Sequence, residues 1–178
     1  MNNNYPRFQV TSGFQAVSEA DWFYAQPEIA VDRGDIYVGF ATLSINNGAS
    51  SYLQMKTNGG DIYLLSYGIV TDSARTTEEI IEAPTITDGT TALSTIYNAN
   101  RQSTDTPGFD IYTNPTSISG GTIIDKVEQY EAKKSLGVAG EAGNIRLKFK
   151  KSTDYVLKLT NGDNSQKSYF VKFYILEL

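Results

Sequence analysis

Between Asp35 and Val70 the chain consists of three runs, DIYVGFATLSI, SYLQMKT and DIYLLSYGIV, divided by NNGAS and NGG. Asn and Gly supply the positive φ angles that tight connections need, while β-branched and aromatic side chains suit a pleated, half-buried surface. The breaks therefore read as turns and the runs as strands. The same pattern returns near the other end in NIRLKFK, DYVLKLT and SYFVKFYILEL, with KKST and NGDNSQK as turns. In DYVLKLT, Tyr155, Leu157 and Leu159 share one face. In the last run Tyr169, Val171, Phe173 and Ile175 fall on one side, and Phe170, Tyr174 and Leu176 on the other. A strand apolar on both faces is central in its sheet or covered by a partner. About nine or ten such strands predict an all-β fold, an antiparallel two-layer β-sandwich, with a closed barrel as the next choice.

Two segments interrupt this reading. DSARTTEEIIE at 72–82 and VEQYEAKKSLG at 127–137 are expected to form one or two short helices, the second ending at a Gly suited to a cap. The middle of the chain repeats a phrase, PTITDGTTAL at 84–93 and PTSISGGTII at 115–124, which suggests two equivalent corners of the sandwich. Residues 1–28 differ from the rest. They have no period and carry Tyr5, Phe8, Phe14, Trp22, Phe23 and Tyr24, aromatics that are costly to leave in water. This N-terminal arm is expected to dock on the sandwich domain, residues 29–178, or on a neighbouring molecule.

The composition excludes more chemistry than any motif adds. With no Cys there are neither disulfides nor thiolates, so stability comes from packing or assembly. With no His, zinc sites and His-based triads are excluded. A carboxylate-pair hydrolase or a Ser-Lys enzyme remains open, but no spacing among Asp61, Asp72, Glu78, Glu79 and Glu82 joins two carboxylates to an acid-base partner. The Glu pair reads as a solvated face. The expectation is a protein that is not an enzyme and takes no cofactor and no metal. A formal net charge of −5 argues against a nucleic-acid surface. The start MNNNYPRFQV lacks a signal pattern, and no apolar window of about 18 residues exists, so neither export nor membrane insertion is expected.

Several short motifs have plain structural readings. The basic cluster Arg146, Lys148, Lys150 and Lys151 reads as the wet face of a strand whose Leu147 and Phe149 turn inward. The triplet Arg33-Gly34-Asp35 matches an adhesion motif, yet its Gly also makes a turn before the next strand. Asn161, Asp163 and Asn164 fit a hairpin turn better than a calcium loop. Exposed Tyr side chains and Trp22 would form a sugar-stacking platform if two or three aromatics lined one groove beside Asp or Asn, so a glycan is a second candidate partner. In the polar connector NANRQSTDTPGFDIYTNPT, Asn98 to Thr116, Arg101 offers five donors in a rigid fork and could clamp carbonyls or a carboxylate such as Asp105 or Asp110.

The order of these phrases resembles small β-rich proteins encoded in tailed-phage structural gene clusters. The matching residues are Pro84, Thr85, Gly89 and Thr90; Asn98, Asn100 and Arg101; Tyr112, Pro115, Thr116, Gly121 and Thr122; and Tyr155, Leu157, Leu159, Thr160 and Asn161. The resemblance spans residues 30–178 and leaves the arm unmatched. It implies a capsid decoration protein, also called a cement or auxiliary capsid protein. Such a protein is a jelly-roll-like sandwich on the outer surface of the virion that ties subunits of the major capsid protein together. Its partners would then be the major capsid protein and further copies of itself, as a homotrimer. The expected contacts are the arm aromatics Tyr5, Phe8, Phe14, Trp22, Phe23 and Tyr24, with Asn98, Asn100, Arg101 and Tyr112 of the connector.

Overall fold

The computed structural model describes residues 27–89, 91–93, 95–130, 138–142 and 147–178. The described chain begins with α1 (Pro27–Arg33), then β1 (Ile36–Ile45), β2 (Ser50–Thr57), β3 (Ile62–Thr71) and β4 (Arg75–Glu82). Five short strands follow: β5 (Thr85–Thr87), β6 (Thr91–Ala92), β7 (Ile96–Asn98), β8 (Phe109–Thr113) and β9 (Thr116–Ser119). The remainder is β10 (Thr122–Tyr130), β11 (Val138–Ala142), β12 (Leu147–Lys148), β13 (Asp154–Asn161) and β14 (Lys167–Glu177).

Two six-stranded sheets form, one in the order β11-β3-β14-β1-β7, with β12 also on β3, and one in the order β10-β4-β13-β2-β8-β6, beside a two-stranded sheet of β5 and β9. The frame strands are β1 to β4, β10, β11, β13 and β14. Among these the first lies beside the last and the last beside the third, while the second lies beside β13 and β13 beside the fourth. This double Greek-key winding, antiparallel throughout, is that of a jelly roll. The all-β sandwich expected from the turn-separated runs is therefore what the chain forms.

The pleat explains the core. Tyr37, Ala41, Leu43 and Ile45 of β1 face inward with Tyr169, Val171, Phe173 and Ile175 of β14, and they meet Leu53 and Met55 of β2 and Tyr155, Leu157 and Leu159 of β13. Burying each large side chain contributes roughly 1.5–3 kcal/mol. On β3 the alternation breaks: Leu64 opposes Ile175 and Ser66 opposes Tyr174, so Leu65 bulges out and both Leu64 and Tyr67 face the core.

The first expected helix is a strand, and so is the described start of the second. Residues 75–82 are β4, and 127–130 belong to β10, which pairs with β4; the rest of the second expected helix lies outside the described residues. The helix among the described residues is α1, too short for its period to stand out in PEIAVDR. It seats Ala30 against Ile36 and Leu176. It ends in a Schellman turn: Asp35 N donates to Ala30 O and Gly34 N to Val31 O, each at 2.9 Å, with Gly34 at φ 81°.

The segment from β5 to β9 is an insertion between β4 and β10. Its β7 extends the first sheet at β1, and its β8 and β6 extend the second at β2. The repeated phrase does not make two equivalent corners. Its two halves pair with each other, Thr85 opposite Ser119 and Thr87 opposite Thr116. The loop after β5 reaches the outward face of the second sheet. There Gln54 is fully buried, donating to Asp88 Oδ1 at 2.7 Å and accepting from Gly89 N at 3.2 Å.

Candidate functional site

The two sheets differ in how their outward faces are treated. On the second sheet the face carries Gln54, Val156 and Ile81, all buried, and ion pairs such as Lys158 Nζ to Glu79 Oε2 at 2.7 Å. On the first sheet, β1, β14 and β7 turn Val38, Phe40, Tyr97, Phe170 and Tyr174 outward. The register sets Val38 between Tyr97 and Tyr174, and Thr42 opposite Phe170. Phe40 stands 6.0 Å from the Tyr97 ring and 5.9 Å from Phe170, forming a line of three aromatics across three strands. Tyr97 is 42% exposed and Phe170 40%, with Val70 of β3 beside them at 46%. β14 is central in its sheet, between β3 and β1, one of the two readings that the apolar pattern of the last run allowed.

The charges on this face are cations laid over rings. Arg101 Cζ sits 5.1 Å from the Tyr97 centroid, and Lys172 Nζ 4.7 Å from that of Tyr174. Such contacts contribute about 0.5–1 kcal/mol at exposed sites and hold the rings in place. Beside Tyr97 the surface dips into an open depression of about 540 Å³ lined by Val38, Tyr97, Asn98, Ala99 and Arg101. The arrangement suits adhesion to an apolar surface.

The residues singled out in the connector do not form one surface. Asn98 is buried: its Nδ2 donates to Gly34 O at 2.7 Å and its Oδ1 accepts from Asn100 N at 2.9 Å. Asn100 Nδ2 donates to Asp32 O at 2.9 Å. Both brace the connector against the end of α1. Arg101 is exposed and lies over Tyr97; it does not clamp Asp105 or Asp110, which accept from Ser103 Oγ and Asn58 Nδ2. Tyr112 is half-buried on β8 in the other sheet, opposite Gln54. Tyr5, Phe8, Phe14, Trp22, Phe23 and Tyr24 lie outside the described residues.

The short motifs resolve structurally. Arg33 Nε pairs with Asp35 Oδ2 at 2.9 Å around a buried Gly34, so the triplet is folded in on itself. Lys148 and Lys151 both reach Asp61, at 3.0 and 3.1 Å, and Lys150 reaches Glu82 at 2.6 Å. Behind them Phe149 stacks on Tyr155 at 4.0 Å. Arg146 lies outside the described residues. Asn161 is a buried peg in a hairpin turn.

The carboxylates hold a correction. Glu78 and Glu79 are not a solvated face. Glu79 is buried under Lys158 on the outward side, and Glu78 points into the sandwich at 1% exposure. There Gln129 Nε2 donates to Glu78 Oε1 at 2.9 Å, and the Tyr67 hydroxyl reaches Asp125 Oδ2 at 3.4 Å. Burial pushes the Glu78 carboxyl up to about 7; Tyr67 opposes this, and Asp125 adds to it. The Tyr67 hydroxyl is raised by burial and by both nearby carboxylates. The pairing of β10 with β4 is what brings these groups together, and reading 127–137 as a helix hid it.

Among the described residues no three Asp, Glu, His or Cys side chains converge to hold a metal ion, and no helix is long and apolar enough to cross a membrane. No family model, no curated protein and no solved structure matches the chain.

Proposed function

We propose that this chain is a binding protein that decorates a tailed-phage head, bridging subunits of the major capsid protein on the outer surface of the virion as a homotrimer. The observation that carries the reading is the line Tyr97, Phe40, Phe170 on the outward face of the first sheet, set beside a second sheet whose outward face is already covered. Monomeric proteins seldom leave such a face to water, and a partner that prefers the assembled lattice stabilises it in proportion to its affinity. The order of the turn phrases in the sequence supports the same reading. Of the three rings only Tyr97 lines the depression, and Asn98 beside it has its amide engaged by Gly34 and Asn100, which favours a protein partner over a glycan.

The experiment is co-sedimentation with phage heads that lack the protein. The wild type is expected to pellet with the heads, and the double variant Phe40→Ser/Phe170→Ser to stay in solution while remaining folded. Wild type left in the supernatant would overturn the reading. A chain lacking residues 1–24 that still attaches as well as the full chain would remove the arm from the interface.

A further inference from the structure

We infer that the interior of the sandwich contains a proton-binding site between β4 and β10, where Glu78 holds one proton beside Asp125 and Tyr67, and that losing this proton unseats the edge strand β10.

Too few donors among the described residues reach the two carboxylates. Glu78 Oε1 accepts from Gln129 Nε2, and the single hydroxyl proton of Tyr67 lies between Glu78 and Asp125, whose Oδ2 is 3.4 Å away, so it can serve only one of the two carboxylates at a time. Glu78 Oε2 is buried and makes no hydrogen bond. A charged carboxylate with one oxygen unserved, away from water and near a second carboxylate, is strongly disfavoured. One added proton removes the charge and turns the orphan acceptor into a donor. On ionisation that proton leaves to solvent water and two negative groups face each other around Tyr67.

Among the described residues nothing else neutralises the charge. Tyr67 comes from β3 and Asp125 from β10. On β14 the Tyr169 hydroxyl is engaged with Thr76 Oγ1 at 3.3 Å, and on β13 the residue opposite Glu78 is Leu159. On β11, Ala142 and Ala139 stand opposite Tyr67 and Ile69, and Glu141 opposite Gly68. Among the described residues Glu78 has no ion pair, and no third carboxylate joins it to hold a metal ion instead. β10 is the outermost strand of its sheet and already carries a register shift between Ile123 and Asp125. It is therefore the element that can yield.

The sign follows from linkage. The folded state keeps the Glu78 proton up to a pH of about 7, whereas the unfolded chain releases it near its ordinary value of 4.5. Over that interval the folding constant falls by about tenfold for each pH unit, and above it the curve levels. Because the chain has no His, no imidazole obscures this slope.

The test is denaturant unfolding of the full chain from pH 5 to pH 8, with amide exchange read at residues 125–129. The wild type is expected to lose about fortyfold in folding constant between pH 5 and 7, and Glu78→Gln to show no such slope. At pH 8 the β10 amides should exchange faster in the wild type than in the variant, and equally at pH 5.5. The same slope in both proteins, or equal protection at pH 8, overturns the proposal. Should Glu78→Gln fail to fold, a carboxyl NMR titration of the wild type decides. A Glu78 midpoint near 7 supports the site, and one near 4.5 excludes it. Asp125→Asn should move that midpoint down.

Discussion

Asn161 Nδ2 donates to the carbonyl of Ile45 at 2.9 Å, joining the end of β13 to the end of β1 across 116 residues of sequence. The same nitrogen reaches Ser165 O at 2.8 Å, and Asn161 Oδ1 accepts from Asp163 N at 2.9 Å. One buried amide thus serves two turns at one end of the sandwich.

Asn161→Ala leaves these backbone groups without their partner, the Ile45 carbonyl in a buried position. The expected loss is about 3 kcal/mol in denaturant unfolding, from roughly 1–3 kcal/mol per orphaned buried group. That is a large share of a domain's stability. A loss under ~1 kcal/mol would mean that water enters the turn.

Two glycines should behave oppositely. A Cβ at Gly89 would run into the Thr113 carbonyl and lie 2.8 Å from Tyr112 Cβ, so Gly89→Ala is expected to cost roughly 1–3 kcal/mol or more. Gly68 on β3 faces open space, and Gly68→Ala is expected to be neutral or to raise stability by about 0.5 kcal/mol. Thermal unfolding of the pair reads both.

The acid limb of the pH profile has its own groups. Hydrogen bonding to Lys150, then to Tyr155, holds Glu82 below the usual carboxylate range, and Lys56 with Gln54 does the same for Asp88. Both contribute stability that is present above the ordinary carboxylate values and lost as pH falls through the depressed ones. Glu82→Gln should therefore flatten the fall below about pH 4.5. Asp88 and the Lys150 partner of Glu82 are exposed, so the effect should be small and should shrink in salt.

Binding and stability should separate on the outward face. Phe170→Ser or Tyr97→Ser is expected to change unfolding stability by less than ~1 kcal/mol while weakening any association through the face. Arg101→Ala should free the Tyr97 ring, which a faster ring-proton relaxation would report.

Much of the frame was legible because β1, β2, β3, β13 and β14 carry their alternation locally and are divided by Asn and Gly. β4 was not. TTEEIIE has two adjacent carboxylates, and only the strands on either side, with Lys158 for Glu79 and Gln129 for Glu78, make it compatible with a sheet. Those partners lie 79 and 51 residues away, beyond any local window. The repeated phrase misled in the same way, since two turns of like composition can pair with each other as readily as repeat. Arg101 was read against the carboxylates that follow it, whereas its partner is the ring four residues before. The outward aromatics of β14 were visible in the alternation itself.

The insertion has one more effect. By pairing β7 with β1 and β8 with β2, it ends both sheets on that side in strands of three and two residues, while β10 ends the opposite side with nine. Short terminal strands are poor templates for another polypeptide's backbone. Among the described residues β10 is the longest terminal strand, the first sheet ending on the same side in β11 and β12 of five and two residues. Growth by adding strands would thus have β10 as its main landing place, and two molecules joined there would close on a pair instead of running on into a fibre.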